Sequence, residues 1–142
     1  MNCNIKNIFW ALLAVVILTT FPFLGSFEYY TKGEPREAVV AHSILESGNW
    51  ILPRNNGGEI PYKPSFFHWC IAAVSMLQGE VTEGSSRLPS AIALTCLVMG
   101  TFVFYARRKS LKVGLAGALM LLLCMEMHRN ASNCRVDMML AA

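Results

Sequence analysis

Long uncharged runs, separated by short clusters of acids and bases, set the pattern of this 142-residue chain. The first run, IFWALLAVVILTTFPFLGSF at residues 8–27, is long enough as a helix to cross a hydrocarbon core of roughly 30 Å at about 1.5 Å per residue. It predicts a transmembrane helix. A cleaved signal peptide fits less well, because the apolar part is too long and the exit SFEYYTK lacks a small-x-small site. A second span is predicted at residues 88–106, LPSAIALTCLVMGTFVFYA, closed by Arg107, Arg108, Lys109 and Lys112. A third follows at 113–127, VGLAGALMLLLCMEM, with Gly114 and Gly117 as small faces for close helix contact.

The basic cluster between the second and third spans orients them, since positive loops stay cytoplasmic. Residues 66–77, FFHWCIAAVSML, are too short for a crossing, and counting them as one would put the basic cluster outside. They are expected to form an interfacial or re-entrant helix. The predicted organisation is a cytoplasmic terminus (1–7), helix 1 (8–27), an outer loop (28–87) with surface helices near 35–47 and 64–78, helix 2 (88–106), a cytoplasmic loop (107–112), helix 3 (113–127), and an outer turn with the start of a fourth helix (128–142). An impermeant probe at Asn56 tests this placement.

Within the outer loop, Pro35 suits a first helical turn, Glu34 and Glu37 complement the positive end of the dipole, and Gly48 suits the stop. Ala38, Ala41, Ile44 and Leu45 share an apolar face expected to lie along the membrane, with Arg36, Glu37 and Ser43 opposite. Residues 53–64, PRNNGGEIPYKP, read as a turn-rich loop. The chain stops at RVDMMLAA inside a new apolar run, which predicts the N-terminal piece of a longer protein.

Composition agrees with a polytopic, all-α integral membrane protein: 54% of residues are hydrophobic, 15% are charged, and mean hydropathy is +0.43. The net charge of +3 does not point to nucleic acid, because the charges sit in clusters between spans. The five cysteines show neither a disulfide framework nor zinc spacing. Glu34 reads equally as a dipole partner or a working acid, and Lys63, Arg87 and Arg135 read first as interfacial anchors. His68 and His128 read as headgroup-level polar residues. Asp137 stands apart, since an acid entering an apolar run usually has a partner or a task.

Four segments in order, GEPREAVVAHSILESGNWILP, IPYKPSFFHW, SRLPSAIAL and RVDMML, resemble the N-terminal part of bacterial GT-C glycosyltransferases of the aminoarabinose transferase and protein mannosyltransferase type. The resemblance covers residues 8–142. It implies transfer of a sugar from a polyprenyl-phosphate donor, usually undecaprenyl in bacteria, to a hydroxyl or phosphate of lipid A, protein or glycan at the periplasmic face of the inner membrane. The family's Asp-Glu-x-Arg is here Gly33, Glu34, Pro35, Arg36, so the usual base is a glycine. Its Phe-Glu-Lys-Pro is here Pro61, Tyr62, Lys63, Pro64, so the acid that helps bind a divalent metal in the family is a tyrosine, which puts the metal dependence that the resemblance allows in doubt; no other cofactor is implied.

By the same resemblance, Glu34, or else Glu37, is the general base; Arg36 and Lys63 hold the donor phosphate; and Asp137 orients Lys63. Direct displacement inverts the anomeric centre. The lost acids at Gly33 and Tyr62 also motivate a second reading, an inactive membrane protein of the same fold that binds a lipid-linked glycan or a partner. A small transporter subunit fits the composition but leaves the surface helix and the Lys-Pro loop without purpose.

Overall fold

A computed structural model describes residues 3–29, 31, 33–55 and 58–142; Asn56 lies outside the described residues. Seven helices follow one another: α1 (Cys3–Thr20), α2 (Gly33–Ser47), α3 (Ser65–Gln78), α4 (Glu83–Arg108), α5 (Leu111–Leu123), α6 (Met125–Ala131) and α7 (Val136–Ala141). Among the described residues there are no strands.

α1 stops at Thr20, seven residues short of the end of its apolar run. Pro22 is the reason, since a proline pushes the residue before it out of the α region. The chain then closes into tight turns, with Leu24 N–H on the Phe21 carbonyl and Ser26 N–H on that of Phe23. α4 starts earlier than the hydropathy suggests because Thr82 and Ser85 form a reciprocal capping box that satisfies the first-turn amides. Arg107 and Arg108 occupy its last turn, where cations favour the negative dipole end.

Among the described residues α4 alone is a single helix long and apolar enough to cross a membrane; the apolar stretch of α1, Ile5–Thr20, is shorter. The expected third span is broken. α5 ends at Leu123, Cys124 turns extended, and α6 leaves at a bend of 65°. The sequence beyond the break accounts for it, because Glu126 and Arg129 pair at 2.7 Å on an exposed face and cannot follow thirteen mostly aliphatic residues into hydrocarbon. α4 and α5 form an antiparallel hairpin in which Gly114 lies against the α4 backbone: a Cβ there meets Phe102 O and Ala106 N at 2.7 Å.

One core joins α1, α4, α5 and α7 through Leu12, Val16, Leu94, Val98, Phe102, Leu122 and Met138. The other joins α2 to α3 through Ala41, Ile44, Phe67, Ile71 and Ala72, capped by Cys134 and Val136. The apolar face of α2 therefore packs on α3 rather than lying along a lipid surface. α3 in turn buries Phe67, Ile71 and Ala72 and exposes Phe66, Trp69, Met76 and Leu77.

Candidate functional site

The first turn of α2 places Glu34 and Glu37 three residues apart, on one side of the helix. Both are buried, at 0% and 2% exposure, although the amphipathic pattern put Glu37 on the polar face. Buried carboxylates need cations or N–H donors, and each draws them from other elements.

Glu34 faces inward. Its Oε1 accepts from Arg87 Nε at 3.0 Å and from the Cys134 backbone N–H at 3.0 Å, while Oε2 accepts from Thr31 N–H at 3.2 Å. Arg87, read from sequence first as an interfacial anchor, is 3% exposed. Its remaining donors reach the carbonyls of Leu24 (2.8 Å), Phe27 (2.7 Å) and Glu28 (3.0 Å), and its guanidinium stands 5.6 Å from the Tyr29 ring. The pair thus fastens the α1–α2 linker and the start of α2 onto the first turns of α4.

Glu37 faces a narrow cleft lined by Arg36, Asn55, Glu59, Pro61, Tyr62 and Lys63. Its Oε1 holds Lys63 Nζ at 3.0 Å and Arg36 Nη2 at 3.4 Å, and its Oε2 lies 2.6 Å from His68 Nε2. Burial alone raises the Glu37 pKa, but hydrogen bonds from His68 and Lys63, with their charges, override it and bring it from 4.5 to about 2. Lys63 and Arg36 keep 34% and 46% of their side chains exposed, so both ammonium and guanidinium remain reachable at the mouth of the cleft. The cleft itself encloses only about 10 Å³, room for roughly one water, so a phosphate fits over the two cations rather than within.

The structure brings Glu37, Arg36 and Lys63 together and leaves Asp137 out. Asp137 is exposed on α7, and Glu37 is the carboxylate that holds Lys63. His68 is fully buried between α2 and α3. Glu59 lines the cleft, is exposed, and enters no ion pair among the described residues. Sequence reasoning passed over His68, Arg87 and Glu59 as site residues, although His68 in IPYKPSFFHW and Arg87 in SRLPSAIAL both stood in segments that carried the family resemblance. Burial pushes the Cys134 thiol up to about 12, so it is packing material and not a nucleophile.

The donor set does not fit a divalent ion. Gly33 offers no ligand, Tyr62 stands where a carboxylate would, and both Glu37 oxygens are engaged. Among the described residues no three His, Cys, Asp or Glu side chains gather at ligating distance.

No protein-family profile matches the chain. The undecaprenyl phosphate-alpha-4-amino-4-deoxy-L-arabinose arabinosyl transferase of Shewanella sediminis is 33% identical over 92 residues, covering 61% of this chain and 17% of the relative. The enzyme of the same name from Pseudomonas savastanoi pv. phaseolicola is 35% identical over 82 residues, covering 58% and 15%. The crystal structure of ArnT from Cupriavidus metallidurans bound to undecaprenyl phosphate superposes with a TM-score of 0.81 at 25% identity, over 92% of this chain and 24% of that one. The chain therefore spans less than a quarter of the length of these proteins.

A helical array with acids and cations gathered where α2 and α3 meet the long apolar α4 matches the fold of a polytopic, all-α membrane protein. Over this segment the chain is similar in sequence and in fold to the aminoarabinose transferases of the GT-C class.

Proposed function

We propose that this chain supplies the donor-phosphate end of the active site of a bacterial inner-membrane enzyme that transfers a sugar from a polyprenyl-phosphate donor to an acceptor at the periplasmic face. The observation that carries this is the pair of cations, Arg36 and Lys63, exposed at one cleft and both bonded to a buried, ionised Glu37. The likeness to a structure bound to undecaprenyl phosphate supports the donor class. Placement of the cleft on the periplasmic side follows from the basic cluster at the α4–α5 turn, which holds that end of the hairpin in the cytoplasm.

In the proposed reaction an acceptor oxygen forms a bond to the anomeric carbon as the bond from that carbon to the donor phosphate breaks, with inversion. The electron pair leaves on the phosphate, and Arg36 and Lys63 stabilise its growing charge, a contribution that typically amounts to several kcal/mol. Glu34 is assigned here as a clamp for Arg87, since both its oxygens accept bonds within the protein, and not as the base expected from sequence. Glu37, held near pKa 2, is too weak a base for a hydroxyl and serves to hold Lys63. For a hydroxyl acceptor the proton passes to Glu59, the carboxylate of the cleft outside the ion pairs. A phosphate acceptor, already ionised at neutral pH, needs no base.

Lys63→Ala in the full-length protein is expected to lower transfer from an undecaprenyl-phosphate sugar by about 100-fold, the usual scale for one group that stabilises transition-state charge. Unchanged transfer refutes the assignment. A second reading, binding without turnover, draws on Gly33 and on the engagement of Glu34 with Arg87; it prevails if wild-type protein binds the donor lipid and neither transfers nor hydrolyses it.

A further inference from the structure

His68 is the one residue of the cation cluster with no access to solvent, and it sits in the middle of the rigid α2–α3 interface. Phe67 and Ile71 beside it on α3 are buried against Ala41 and Ile44 of α2, and the Phe67 ring stands edge-on to the imidazole at 6.3 Å. Its Nε2 meets Glu37 Oε2 at 2.6 Å, and its Nδ1 is buried without a partner. An ionised carboxylate only accepts, so Nε2 carries the proton and donates to Glu37.

Glu37 and Lys63 are both long side chains with several free torsions. A contact between them alone leaves the ammonium free to sample many positions, because ordering such side chains opposes the bond with a substantial entropy. The imidazole has two torsions, and packing fixes both. Tied to it through Oε2, Glu37 presents Oε1 in one place, and Lys63 Nζ is held there at 3.0 Å with Arg36 Nη2 beside it.

We propose that His68 is a positioning residue for the donor-binding cations: it fixes Glu37, which in turn holds Lys63 at the mouth of the cleft. This rests on the reading of Lys63 as a ligand of the donor phosphate. His68 touches no donor itself. Its orphaned Nδ1 marks a ring oriented for one bond, the bond to Glu37, at the expense of the other nitrogen.

Binding of undecaprenyl phosphate to the full-length protein in detergent micelles tests this, with thermal unfolding measured in parallel. Loss of one hydrogen bond to a charged group predicts that His68→Leu weakens binding about 10-fold. His68→Gln, whose amide nitrogen reaches the place of Nε2, is expected to stay within about 3-fold of wild type, a difference under about 0.7 kcal/mol. Should His68→Leu not fold, His68→Asn takes its place, since its amide is too short to reach Glu37 and the same 10-fold loss is expected. In a Lys63→Ala background the His68 substitution is expected to add less than about 2-fold, because its effect runs through Lys63.

Full additivity of the two substitutions, or equal losses for His68→Gln and His68→Leu, overturns the positioning role while leaving the donor site standing. A Lys63→Ala protein that binds undecaprenyl phosphate as tightly as wild type overturns the donor site and this inference with it.

Discussion

Replacing Arg87 by Met removes a guanidinium that is 3% exposed and keeps the approximate volume of the side chain. What it strands can be counted. The Glu34 carboxylate, 0% exposed, loses the Arg87 guanidinium and retains the N–H groups of Cys134 and Thr31. Uncompensated buried charge of this kind costs about 3–5 kcal/mol. The Leu24 carbonyl, on a buried residue, loses a bond of 2.8 Å and adds about 1–3 kcal/mol, whereas Phe27 and Glu28 lie on exposed residues and their carbonyls recover water. The expected loss is therefore at least about 4 kcal/mol, a large part of the total stability of an ordinary fold.

The assay is thermal unfolding of the detergent-solubilised protein, followed through its tryptophans, for Arg87→Met, Glu34→Gln and the double variant. Glu34→Gln is expected to be severe as well, since it leaves the arginine buried and charged. The double variant is expected to be more stable than the sum of the single losses predicts by at least about 2 kcal/mol, because two buried charges leave together. Additive losses would refute the claim that these two groups act as one clamp.

Three further outcomes follow from the geometry. Gly114→Ala forces a Cβ to within 2.7 Å of the α4 backbone and is expected to destabilise by about 1–3 kcal/mol, whereas Gly100→Ala, with nothing within 4 Å, is neutral or stabilising by up to about 1 kcal/mol; equal melting temperatures for the two variants contradict the close approach of α4 and α5. Glu37 has a folded-state pKa depressed from 4.5 to about 2, so the stability it contributes is fully present above pH 4.5 and is lost as pH falls towards 2; the melting difference between wild type and Glu37→Gln is expected to shrink below pH 4.5, and a constant difference from pH 7 to 3 rejects the Lys63–Glu37–His68 cluster. Gly33→Asp meets no atom within 4 Å and adds an acid at a helix start, so melting is expected to hold or rise by up to about 1 kcal/mol while sugar transfer increases; a destabilised protein means the first turn of α2 has no room for the family's acid.

The helices were largely legible because each follows from a local pattern: apolar runs, Pro35 in a first turn of α2, Gly48 and Gly79 with positive φ at or just after helix ends. Their limits were less so. Hydropathy averages over Pro22 and over Cys124, where backbone geometry, not apolarity, decides that α1 stops and α5 bends into α6. The amphipathic face of α2 was visible, but sequence does not say whether lipid or α3 covers it. The charge pairing was least legible, since Glu34 and Arg87 lie 53 residues apart and Glu37 and His68 lie 31 apart. A sequence shows which residues carry charge; which of them share a buried contact depends on how α2, α3 and α4 pack. Asp137 shows the cost of that gap: the family resemblance implied that it orients Lys63, yet Glu37 holds the lysine.

In the proposed reaction that pairing decides the electrostatics a donor phosphate would meet. Glu34 and Arg87 cancel inside the protein, and Glu37 cancels one of Lys63 and Arg36, which leaves the mouth of the cleft with one cation in excess before Glu59 is counted. A phosphodiester donor carries a single negative charge in the ground state and places more on the phosphate as the sugar departs. In the proposed reaction, a cleft whose lysine and arginine lean on a fixed carboxylate favours the departing phosphate over the bound donor, because pre-oriented charges gain most where charge grows. With a glycine at position 33, the proposed reaction leans on leaving-group stabilisation rather than on proton abstraction by a carboxylate there. On that basis an already ionised acceptor should be the better substrate for this chain's site, and a comparison of phosphate and hydroxyl acceptors with the same donor decides it: a preference for the hydroxyl would mean that a base outside this cluster drives the reaction.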